Sequence, residues 1–125
     1  MEINYLLVAI KVIIFISILN VWLLKFNKPT PWRGGSAQSM KEEFKTYRLS
    51  EAMMYLVGGL KILFATLIFA SIWLPQLAVP GAAGMAILML GAISMHFKVK
   101  DPLKKSFPAF SFLVLSLIII GMYYF

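Results

Sequence analysis

The sequence predicts an all-α integral membrane protein: a four-helix antiparallel bundle with a short amphipathic helix on the cytoplasmic surface between helices one and two. Three observations carry that prediction. The chain of 125 residues is 61% hydrophobic and 14% charged, whereas soluble domains run at about 45–50% apolar and about 25% charged. Four apolar runs, 4–24, 52–74, 79–97 and 107–125, approach the roughly 20 residues a helix needs to cross a hydrocarbon core. Ten of the twelve Lys and Arg fall in two of the three connections. The runs leave no stretch for a second domain, so 1–125 reads as a single transmembrane domain.

The first run begins after Met1 and Glu2, without a signal peptide's basic start, and it outlasts a typical h-region. It is read as a retained membrane helix. Lys11 lies about 10 Å from its outer end, within reach of a snorkelling stem. Lys11 and Asn20 are nine residues apart and point to opposite sides of a straight helix, so one of them is expected to miss the bundle centre. In the first connection, Pro29, Pro31, Gly34 and Gly35 are turn residues. Ser39 and Glu42 have capping-box spacing. Met40, Phe44 and Tyr47 then recur at i, i+4 and i+7, which predicts an amphipathic helix over 40–49 lying on the membrane surface. Arg33, between Trp32 and two glycines, is expected at the headgroups, with a phosphate cradle as the alternative.

The second run carries Lys61 near its middle, roughly 14 Å from either end and too far to snorkel. A lysine at mid-membrane costs at least about 2.5–3.5 kcal/mol, and an intramembrane ionisable residue is a site hypothesis by default. No Asp or Glu falls inside a membrane run to pair with it. The short uncharged connection 75–78 makes runs two and three neighbours. Small residues in run three (Gly81, Ala82, Ala83, Gly84, Gly91, Ala92) and Gly58 and Gly59 in run two suit close helix approach rather than a cavity. Trp22, Trp73, Tyr123 and Tyr124, near span ends, suit the aromatic belt. At the last corner Asp101-Pro102 breaks one helix and Pro108 suits the first turn of the next.

Because the first and third connections share a side, the positive-inside rule puts both in the cytoplasm and both termini outside, in a bacterial cytoplasmic membrane. Lys98, Lys100, Lys104 and Lys105, with Arg33, then meet anionic lipid headgroups. The net charge of +7 needs no nucleic-acid partner. The absence of cysteine excludes disulfides and thiolate chemistry, and one histidine does not make a metal site, so no metal is expected. Four antiparallel spans place Ser17, Asn20, Lys61, Ser94, His96 and Ser111 in the cytoplasmic half. The site prediction is a polar ligand pocket of Lys61, His96, Asn20, Ser17 and Ser94, with the Lys61 amine on Ser17 or Asn20 and Ser94.

The stretch "GGLKILFATLIF", the prolines at 75 and 80, "AAGMAILMLGAISMHFKVKDP" and "FPA" before the last run together resemble the DoxX-like family. The resemblance spans about 44–119. It implies a small four-helix membrane protein, some members being associated with thiosulfate:quinone or other membrane redox systems, with Lys61, His96 and Asp101 as polar positions. The expected function is an accessory subunit that binds a quinone- or lipid-like molecule for partner membrane or redox subunits, not an enzyme on its own. The alternative is an assembly or scaffold protein acting through helix–helix contacts, a homo-oligomer included. A proton-coupled cation exporter is set aside, because it needs a membrane-embedded carboxylate.

Overall fold

A computed structural model describes residues 4–125; Met1 and Glu2, on which the signal-peptide reading partly turns, lie outside the described residues. Five α-helices follow one another: α1 Tyr5–Leu19, α2 Met40–Thr46, α3 Glu51–Ala70, α4 Ala78–Lys98 and α5 Phe107–Tyr124. A π-helical turn, Asn20–Leu24, extends α1, and 3₁₀ turns Pro75–Leu77 and Leu103–Ser106 lead into α4 and α5. The four long helices are long and apolar enough to cross a membrane. α1 packs on α3 and α5, and α4 packs on the same two, so the bundle closes as a ring of antiparallel neighbours.

Local chemistry sets the starts. Asn4, Ser39 and Ser50 each accept a backbone N–H of the first turn, from Leu7, Glu42 and Met53, satisfying donors with no partner inside the helix. The ends differ from expectation. α2 stops at Thr46, not 49, because Arg48 turns to φ 62° and the Leu49 N–H bonds back to the Phe44 carbonyl at 2.9 Å. α4 ends the same way, with Lys100 at φ 58° and the Asp101 N–H on the His96 carbonyl at 3.0 Å. Both are Schellman closures in which a long cationic residue takes the left-handed position that glycine usually fills.

The core runs through Ile14, Met54, Ala65, Ile68, Met85 and Ile119, all sealed from solvent, while Leu6, Ile13, Leu63, Ile87, Leu90 and Leu117 cover the outer faces. Outward leucine and isoleucine are what a bundle surrounded by lipid presents. α3 and α4 approach closely where a Cβ on Gly81 would lie 3.1 Å from the Ile68 backbone and one on Gly84 would enter the Phe64 ring. Gly59 and Gly91 face open space instead, so not every small residue serves packing.

Two side chains overturn expectations. Trp22 is not in an aromatic belt; it is 7% exposed, seated on Gly58 and flanked by Phe26 and Phe44. Lys11 does not snorkel. It is 3% exposed, and its ammonium donates to the Tyr123 hydroxyl at 2.7 Å and to the Ser71 carbonyl at 3.3 Å. Ser71 caps the C-terminus of α3, where the helix dipole and free carbonyls favour a cation, so the uncharged end holds α1, α3 and α5 together through this one amine.

Candidate functional site

At the basic end the helices part around a cavity of about 760 Å³, within the range of small-molecule sites. Val57 of α3, Met89 of α4 and Phe112 of α5 make its apolar walls, and Ser17, Asn20, Lys61 and His96 supply polar groups. Four of the five pocket residues expected from the sequence are therefore brought together. Ser94 is not: it faces outward and donates to the Leu90 carbonyl at 2.9 Å. Ser111 likewise turns back to the Phe107 carbonyl. Lys11 and Asn20 both find polar work because the cavity lies on one flank of α1 at the basic end, whereas the Lys11 contacts lie at the other end. The π-helical turn at Asn20 widens α1 beside the cavity, a distortion common at functional sites.

The connection from α1 to α3 covers the cavity as a lid. Its α2 is amphipathic, as expected, and applies Met40, Phe44 and Tyr47 to the end of the bundle, each under a tenth exposed. Arg33 differs from the headgroup expectation. Its guanidinium is buried, pairs with Glu43 at 3.1 Å, and donates to the carbonyls of Lys28 at 3.0 Å and Lys25 at 2.6 Å. Every edge of its fork is used inside the lid. The two glycines follow from this packing. The Tyr47 ring lies against Gly34, whose N–H donates to Glu43 at 2.9 Å. Gly35 takes φ +56°, and its N–H donates to Asp101 at 3.0 Å while its carbonyl accepts from Lys105.

This ties the lid to the α4–α5 corner. The Tyr47 hydroxyl donates to Glu43 at 3.0 Å and lies 3.4 Å from His96 Nδ1. Nδ1 also meets Asp101 at 2.7 Å, and Lys98 donates to the Tyr47 carbonyl at 2.7 Å. Burial opposes ionisation of Asp101, but hydrogen bonds from His96 and the Gly35 N–H outweigh it and hold the carboxyl below the usual carboxylate range. Burial, reinforced by Glu43, pushes the Tyr47 phenol far above its ordinary range, so it stays a neutral donor. Of the lysines expected at headgroups, Lys98 and Lys105 are held by the lid, and the side chains of Lys100 and Lys104 are exposed.

Two residues at the cavity keep polar capacity that the network does not use. Lys61 makes no hydrogen bond or ion pair among the described residues; its amine lies 5.6 Å from the centre of the Trp22 ring, a cation–π contact. His96 uses Nδ1 alone and is 6% exposed. His96 lines the cavity, and its Nε2 makes no hydrogen bond among the described residues.

A DoxX-like family model matches residues 32–119, well over half the chain. The chain belongs to the DoxX-like family. No curated protein and no solved structure matches it. In this DoxX-like membrane protein the matched segment runs from the lid at Trp32 to Ile119 on α5, taking in Arg33, Glu43, Tyr47, His96, Asp101 and Lys61, while α1 lies outside it. Sequence reasoning missed Glu43, Tyr47 and Trp22. Glu43 and Tyr47 are four apart on a helix, a spacing that signals contact, but Tyr47 also completed the apolar stripe and was assigned to lipid.

Proposed function

We propose that this multi-pass DoxX-like protein is a ligand-binding accessory subunit whose cavity holds the polar head of one quinone- or lipid-like molecule, in the service of a membrane redox or other complex. The observation that carries the reading is the amine of Lys61, a residue lining an apolar-walled cavity, which makes no ion pair or hydrogen bond among the described residues; Glu43, at the same cavity, is paired with Arg33 instead. An unpaired amine at that depth is costly, and a carbonyl or anionic head offsets the cost. The apolar walls suit the rest of an amphiphile. The orientation that goes with this reading has the basic end in the cytoplasm and both termini outside, as the positive-inside rule directs.

Replacing Lys61 with methionine keeps the length and removes the donor. A charge-assisted hydrogen bond is worth about 1.5–3 kcal/mol, so the variant is expected to bind its amphiphile roughly 10- to 100-fold more weakly. It should insert and fold normally, and without ligand it should be no less stable. Mass spectrometry of lipids and quinones co-purified with the two proteins checks this. Equal content in both, with the variant the more stable, contradicts the reading and favours the scaffold role.

A further inference from the structure

We infer that the amphiphile carries one acidic O–H, as a carboxylic acid or a phenol does, and that His96 accepts its proton while Lys61 faces the oxyanion produced. The inference rests on the ligand-binding reading above and adds the head-group chemistry. Its starting point is the ring of His96. Nδ1 is 2.7 Å from an Asp101 carboxylate that is itself 5% exposed and held by the Gly35 N–H. A carboxylate only accepts, so Nδ1 carries a proton, and in the neutral ring of this cavity-lining residue the lone pair is then on Nε2. The cavity thus has a donor in Lys61 and an acceptor in His96.

The remaining charged groups around the ring are committed elsewhere. Arg33 is spent on Glu43 and two backbone carbonyls, Tyr47 donates to Glu43, Lys98 is bonded to the Tyr47 carbonyl, and Lys105 is bonded to Gly35 beside Asp101. Lys25, the other lysine at the cavity, is exposed to solvent. A phosphodiester or sulfate, with several acceptor oxygens and no proton to give at neutral pH, matches one amine and one lone pair poorly. A weak acid matches both. It enters from lipid in its neutral form, which avoids moving an ion through hydrocarbon. Inside, the ligand O–H bond breaks, its electron pair stays on oxygen, and an N–H bond forms at Nε2. The imidazolium then donates to Asp101 through Nδ1 and to the oxyanion through Nε2, and the oxyanion accepts from Lys61. Asp101 is the positioning residue of this pair.

The test uses the full chain in detergent micelles and follows quenching of Trp22 and Trp32, both at the cavity, by doxyl-labelled stearic acid and by its methyl ester. The acid is expected to bind at least about tenfold more tightly, the worth of one charge-assisted bond. Binding the ionised acid takes up a proton, so its affinity should be lower at higher pH, and ester binding should be flat. H96Q should remove both the preference and the slope. D101N, which keeps the ring and an oxygen for the Gly35 N–H, should weaken the acid and spare the ester. Equal affinity for acid and ester, or a wild-type slope in H96Q with wild-type elution on gel filtration, overturns the inference and leaves the ligand-binding reading standing. Saturable quenching by neither probe, unchanged in Lys61→Met, overturns both.

Discussion

Single side chains divide the molecule's two ends between different tasks. At the uncharged end Lys11 has its ammonium on a helix C-terminus and a tyrosine hydroxyl, which is structural. At the basic end Lys61 makes no hydrogen bond or ion pair among the described residues and rests its amine over the Trp22 ring, while Glu43 at the same cavity is paired with Arg33. Asp101 is the residue through which lid and corner meet, and its charge has a stability consequence. Its carboxyl is held below the range of an unfolded aspartate, near 3.9. The stability this confers is therefore complete above about pH 4 and is lost as pH falls through the folded value. Thermal unfolding of wild type and Asp101→Asn, compared from neutral pH to about 3, should show a gap that narrows only below about 4; a constant gap means that the carboxylate contributes through shape alone.

Element by element, the spans were legible and their contacts were not. The four apolar runs and the Ser39–Glu42 box announce α1 to α5 within a few residues, because length and capping are local properties. Trp22 was misread because an aromatic near a span end signals an interface unless a seat exists, and its seat is a glycine 36 residues away. Lys11 was misread because its partners are 60 and 112 residues away, beyond any helical wheel. The depth of Lys61 was legible, but its expected contacts with Ser17 or Asn20 and Ser94 were not found: among the described residues its amine makes no hydrogen bond and lies over the Trp22 ring, while Ser94 turns to Leu90. Gly58 and Gly59 turn this into a prediction. A Cβ on Gly58 would lie 2.5 Å from the Trp22 ring, so Gly58→Ala should destabilise by about 1–3 kcal/mol. Gly59 has nothing within 4 Å, so Gly59→Ala should be neutral or stabilise by about 0.5–1 kcal/mol. Unfolding temperatures in detergent read both; equal losses would mean that α1 does not seat on α3 through Trp22.

The whole molecule is a bundle tied at one end and opened at the other, with a loop and a short helix folded over the opening. The α3–α4 contact rests on glycines packed against Ile68 and Phe64, whereas lid closure depends on the Arg33–Glu43 pair and the Asp101–Gly35–Lys105 contacts. Both basic connections lie at the lid end, so the lid faces the cytoplasm if the positive-inside rule governs insertion. Protease-cleavable tags at residues 1 and 125 should then be cut from outside in intact cells, and protection of both would reverse the orientation. The central claim is that the cavity exists to hold an amphiphile's head at Lys61. An experimental density map of the protein purified without added ligand tests it most directly. Elongated density is expected in the cavity, with its polar end within hydrogen-bond distance of the Lys61 amine; a cavity collapsed onto packed side chains, with that amine bonded to the protein itself, would contradict the claim.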